Sequence, residues 1–198
     1  MGATRPGQGG PIAWPPTLLR GRPQKLRDLI RQPRSQRPQE LLLVVVDASA
    51  STRRNQGLSL AKGVLAQAFD DAYRRRARLA LLTASGNQPH WQHQGLKASH
   101  ALQPWLEHLG AGGGTPLGQA LQQAAQWLIE RRKRYPAESQ RLLVLTDGRL
   151  ATLPTLPVFD CPGVLIDIET GPIRLGRAKA LAQGLGIDYQ HVEALPVV

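Results

Sequence analysis

Six apolar residues, Leu41 to Val46, run without interruption into an aspartate, Asp47. Three of the six are β-branched valines. A short unbroken apolar run of this kind reads as a strand buried on both faces, as in a parallel sheet with helices on either side. A half-exposed strand would alternate, and a membrane-spanning helix would need about 20 such residues. Asp47 stands where the strand should end, and two hydroxyls, Ser49 and Ser51, follow it at i+2 and i+4. Open α/β sheets bind ligands beyond the carboxyl ends of their strands. One Asp and two Ser offer hard oxygens, which suit Mg²⁺ or Mn²⁺ better than Zn²⁺. The same three residues also serve as an ordinary cap for the next helix.

Two further stretches have related character. Arg141 to Asp147 is a second apolar strand closing on an aspartate, and Val164 to Ile168 is a third strand. Arg78 to Thr83 reads as a strand, Asn87-Gln88-Pro89 as a turn, and His90 to Gln94 as a short return strand at a sheet edge. Between these lie stripes at helical spacing: Leu58 to Arg76, Ala101 to Leu109, Leu117 to Leu128 and Leu175 to Leu185. Tyr189 to Val192 reads as a last edge strand. Strands alternating with helices predict an α/β fold: a doubly wound, mostly parallel central sheet, helices on both faces, one antiparallel edge strand.

Charge divides the chain. The net +11 is concentrated in residues 1–40, which hold 8 Lys/Arg against 2 Asp/Glu. Six prolines between positions 11 and 40, with few apolar residues, predict an extended basic arm preceding a domain at 41–198. Pro23 to Ile30 reads as a short helix with proline at its start. Trp14 suits either an anchor for a partner or packing on its own domain. The basic run Arg131 to Arg134 is expected to solvate a helix C-terminus, where the dipole favours cations. Nucleic acid is one reading of the arm, but no stacking platform, zinc finger or helix-turn-helix accompanies it. Docking to an acidic protein fits equally well. The single cysteine, Cys161, excludes a disulfide framework and a cysteine zinc site. No apolar leader or spanning segment is present, and a cytoplasmic location is expected.

Three loops are expected to converge. The first carries Asp47, Ser49 and Ser51; the second is the Gly-rich turn 112–118 with Thr115; the third is Thr146-Asp147-Gly148. Thr115 before Pro116 also reads as a helix N-cap, and Gly148 as a turn residue. Together the three segments resemble the von Willebrand factor A family, whose metal-ion-dependent adhesion site is Asp-x-Ser-x-Ser, a Thr in a Gly-rich turn, and Thr-Asp-Gly. The resemblance covers roughly residues 41–192 and implies Asp47, Ser49, Ser51, Thr115 and Asp147 as metal ligands. The chain looks most like the A domain at the C-terminus of the D subunit of magnesium and cobalt chelatases. There Val-Val-Asp-Ala-Ser-Ala-Ser and Gly-Gly-x-Thr-Pro-Leu recur, preceded by a segment similar to Ile12-Ala13-Trp14-Pro15-Pro16-Thr17-Leu18. Those subunits also carry an AAA+ ATPase-like domain and an acidic linker, which this chain lacks.

The resemblance implies Mg²⁺ (or Mn²⁺) as cofactor and a protein-binding role rather than catalysis. The implied partners are an AAA+ ATPase chelatase subunit and a large chelatase subunit, in a machine that inserts a metal into a tetrapyrrole. Mg²⁺ prefers six oxygens and keeps waters, and two Asp only neutralise it, so a partner's carboxylate is the expected further ligand. Alternatives are a Mg²⁺-dependent hydrolase and a nucleic-acid role for the arm. For the hydrolase, Ser49 replaces the second Asp of a haloacid-dehalogenase phosphatase. No P-loop, Gly-x-Gly-x-x-Gly or Gly-x-Ser-x-Gly motif is present. His90 and His93 are expected to be solvated, Trp91, Trp105 and Trp127 to be core or half-buried, and Asp160, Asp167 and Glu169 to be surface acids, with Asp167 facing the crevice or an edge.

Overall fold

The computed structural model describes residues 12–31, 39–48, 57–97, 105, 109, 116–149, 156–170 and 175–195. The chain divides into two compact units, Met1–Pro38 and Gln39–Val198.

In the first unit, a helix α1 spans Trp14–Leu19. Pro15 and Pro16 occupy its first turn, where a missing N–H leaves nothing unpaired and the fixed φ is already helical. Thr17 ties the unit together. Its Oγ1 donates to Ala13 O at 2.8 Å and accepts from Ile30 N at 3.0 Å. Ala13 N donates to Ile30 O at 2.8 Å, and Ile12 and Arg31 form an antiparallel bridge. Residues 12–31 are therefore a closed clasp, which corrects the expected extended arm. The helix expected over 23–30 is also corrected: only a 3₁₀ turn, Leu26–Asp28, forms. Ile30 is drawn into extended pairing with Ala13, so the helix cannot continue.

The second unit is a six-stranded sheet. Its strands are β1 (Glu40–Asp47), β2 (Arg78–Ser85), β3 (Gln88–Lys97), β4 (Ser139–Thr146), β5 (Gly163–Asp167) and β6 (Asp188–His191). The spatial order is β3-β2-β1-β4-β5-β6. All neighbours are parallel except β2 and β3. The expected fold class is therefore the observed one. The helices are α2 (Gly57–Arg74), α3 (Leu117–Arg134) and α4 (Arg177–Leu185).

β1 lies between β2 and β4, which explains its unbroken apolarity. Leu41, Leu43 and Val45 pack with Leu121, Ala124, Leu181 and Leu185 of α3 and α4. Val44 and Val46 pack on the other face with Leu65 and Phe69 of α2. Of the expected stripe at 101–109, only Trp105 and Leu109 are described. Both join the α2 cluster, with Trp105 tilted against Phe69 at 6.3 Å. A trough of about 520 Å³ runs between α2 and the sheet, floored by Leu42, Leu143 and Val164.

Two local expectations change. The hairpin turns at Gly86-Asn87, one residue early, because Gly86 supplies φ +66. Its return strand β3 is longer than expected and carries Pro89, which an edge strand tolerates. The basic run closing α3 is only partly solvated. Arg131 donates to Glu138 at 2.6 and 2.9 Å and lies over the rings of Trp127 and Tyr135 at 5.1 and 4.8 Å. Arg132 pairs with Asp160. Among the described residues no helix is long and apolar enough to cross a membrane.

Candidate metal centre

Parallel pairing of β1 with β4 sets the geometry. Val46 stands opposite Leu145, so the next residues, Asp47 and Thr146, are level at the carboxyl end of the sheet. Side chains alternate along a strand. Asp47 shares its face with Val45, and Thr146 shares that same face with Val144. Hence Thr146 Oγ1 reaches Asp47 and donates to its Oδ2 at 2.7 Å. The hydroxyl also accepts from Gly148 N at 3.0 Å, which closes the turn after β4. Asp147, one residue on, accepts at Oδ1 from Arg149 N at 3.0 Å. Both aspartates are buried. The two carboxylates therefore leave adjacent strands at the same edge.

Gly148 is required there twice over. Its φ is +66, and a Cβ would come within 2.6 Å of Ala178 N in the first turn of α4. The turn carrying Asp147 is thus seated directly on that helix.

Asp167 and Glu169, expected at the surface, are buried, whereas Asp160 is exposed. The correction follows from their hydrogen bonds. Asp167 accepts from Glu169 N at 2.9 Å and from the Tyr189 hydroxyl at 2.9 Å. Glu169 accepts from Arg149 Nε at 3.2 Å and from the backbone of Leu175 and Gly176 at 2.9 and 3.2 Å. His191 Nε2 lies 3.0 Å from Glu169 O. These bonds replace the water that the acids lose on burial. Four buried acids, Asp47, Asp147, Asp167 and Glu169, thus end β1, β4 and β5 or follow them.

Ser49, Ser51 and Thr115 lie outside the described residues; of the five sequence-derived ligands the structure describes Asp47, which ends β1, and Asp147, which follows the neighbouring β4. Among the described residues no group of three or more His, Cys, Asp or Glu side chains is arranged around a metal position. Thr146, Arg149, Asp167 and Glu169 were not picked out as site residues. Thr146 had a signal: a hydroxyl in an apolar strand, on the face of Asp47. Asp167 had one too, since it closes an apolar run as Asp47 and Asp147 do. Glu169 and Arg149 had none, because their pairing depends on the folding of two loops. Burial raises the thiol pKa of half-buried Cys161, so it stays protonated at neutral pH and is a poor nucleophile.

Residues 42–149, more than half the chain, match the von Willebrand factor type A domain. The chain belongs to that family. Similar proteins give this von Willebrand domain a context. It is 30% identical over 188 residues to an uncharacterized protein of Mycobacterium tuberculosis, covering 89% of this chain and 29% of that one. It is 32% identical over 176 residues to the magnesium-chelatase 67 kDa subunit of Chlorobaculum tepidum, covering 75% of this chain and 28% of that protein. The chain thus spans less than a third of these relatives. Among solved structures, a von Willebrand factor type A protein from Catenulispora acidiphila superposes with a TM-score of 0.58 at 19% identity, covering 82% of this chain and 40% of that one. That likeness concerns the fold alone.

Proposed function

We propose that the chain is a metal-ion-dependent protein-binding domain that serves an ATP-dependent magnesium or cobalt chelatase acting on a tetrapyrrole in the cytoplasm. Its partners in that role are an AAA+ ATPase subunit and a large chelatase subunit. Asp47, Ser49, Ser51, Thr115 and Asp147 hold Mg²⁺ or Mn²⁺, and a partner's carboxylate completes the coordination. The observation that carries the reading is the pair of buried carboxylates, Asp47 and Asp147, at the same ends of adjacent strands. Buried charges are paired or bind metal. Around these strand ends four acids are buried, and Arg149 is ion-paired to one of them. Carboxylate and hydroxyl oxygens are the donors that Mg²⁺ and Mn²⁺ prefer, so a divalent cation suits strand ends of this composition. Similarity to a magnesium-chelatase subunit supports the assignment of the machine.

Thr146 has a defined part in this reading. By donating to Asp47 Oδ2 it fixes the orientation of a carboxylate assigned here to the metal.

The test is calorimetric titration with Mg²⁺, followed by capture of the purified ATPase and large subunits with and without EDTA. Asp47→Ala and Asp147→Ala are each expected to weaken Mg²⁺ binding by about 10-fold or more, and EDTA is expected to reduce capture. Unchanged Mg²⁺ affinity in both variants would overturn the ligand assignment.

A further inference from the structure

The clasp of residues 12–31 is built in an unusual way. Its buried side chains are small, the Ala13 methyl and the Thr17 hydroxyl, and its backbone is held by polar bonds. Its large apolar side chains face outward. Trp14 and Leu18 are more than half exposed, and Leu19 and Leu26 are 88% and 82% exposed. Four of the large exposed apolar residues of the described chain thus fall in this one short, closed segment. Exposed large apolar side chains concentrated in one short segment mark an interaction surface.

Charge indicates what such a surface would meet. The clasp carries Arg20, Arg22, Lys25, Arg27 and Arg31 against one acid, Asp28. The Asp28 carboxylate is already engaged, accepting from Gln24 N at 3.0 Å and Lys25 N at 2.9 Å. The clasp therefore presents apolar side chains among cations and contributes almost no negative charge of its own. Leucines at nearly full exposure favour a protein pocket over nucleic acid, since they neither stack on bases nor contact phosphate.

We propose that the clasp is a second docking surface, for a protein partner whose apolar pocket is rimmed by carboxylates. Leu19, Leu26 and Trp14 enter the pocket, and Arg22, Lys25 and Arg27 meet its rim. This contact is separate from the metal and does not need it. The choice of probe rests on the chelatase reading: the purified AAA+ ATPase subunit and the purified large subunit, each titrated against the full chain with Mg²⁺ or with EDTA.

Leu19→Ser/Leu26→Ser alters only exposed side chains, so the fold is preserved. It is expected to weaken binding to one of the two subunits by about 10-fold or more, with Mg²⁺ affinity unchanged. Arg22→Glu/Arg27→Glu is expected to weaken the same binding and to flatten its dependence on salt. Chelation should leave this contribution in place. If chelation abolishes binding and the clasp variants do not alter it, the clasp proposal fails and the metal reading stands. If the clasp variants abolish binding and chelation does not, the metal reading fails and the clasp proposal stands. Failure of the unaltered chain to bind either subunit overturns the clasp proposal, as does clasp-dependent binding to phosphatidylserine vesicles or duplex DNA in its place.

Discussion

In the sheet domain the side chains shielded from water are Leu43, Val45, Leu121 and their neighbours, and the acids collect at the strand ends. In the clasp the shielded side chains are the small ones, Ala13 and Thr17, and Leu19 and Leu26 stand in solvent. The difference is one of size. A six-stranded sheet with helices on both sides encloses enough volume for apolar burial to dominate its stability. Twenty residues enclose almost none, so the clasp closes through hydrogen bonds at Thr17, Ala13 and Ile30. Large apolar residues are buried in the first region and exposed in the second.

The sharpest way to break this comparison is to shorten one leucine in each region. Leu121→Ala empties space in the domain core and should cost about 2–5 kcal/mol in urea unfolding. Leu19→Ala in the clasp should change stability by less than about 0.5 kcal/mol. Equal effects would mean that Leu19 is structural. The second way is to remove the hydroxyl. Thr17→Val keeps the shape but leaves Ala13 O and Ile30 N without that partner, at a local cost of about 1–3 kcal/mol. Hydrogen exchange should accelerate at Ile30 while the sheet amides keep their protection, because the two units are compact separately. The smallest effect concerns the turn. Asp28→Ala removes the acceptor for Gln24 N and Lys25 N and should cost about 0.5–1 kcal/mol, read as faster exchange at those amides.

The same contrast governs how much could be read from the chain. Leu41 to Val46 announced a strand covered on both faces because a buried parallel strand has no polar face to show. The clasp gave a misleading pattern. Pro15 and Pro16 read as extended chain, yet the same fixed φ starts α1. Pro23 to Ile30 read as a helix, yet pairing of Ile30 with Ala13 across the clasp overrides that local preference. At the strand ends, Asp47 and Asp147 were legible because each closes an apolar run, whereas Glu169 gave no signal in its own neighbourhood. Ser49, Ser51 and Thr115 rest on the motif.

The sequence alone determined the fold class, the burial of β1 on both faces and the positions of the two aspartates at the ends of their apolar runs, since strand burial and strand ending are written in local polarity. Tertiary structure decided that β1 and β4 are neighbours, that Thr146 grips Asp47, that Glu169 is buried against Arg149, and that the arm closes on itself. Each of these joins residues distant in the chain, such as Asp47 and Thr146, which are 99 positions apart, and depends on pairings that no local pattern encodes.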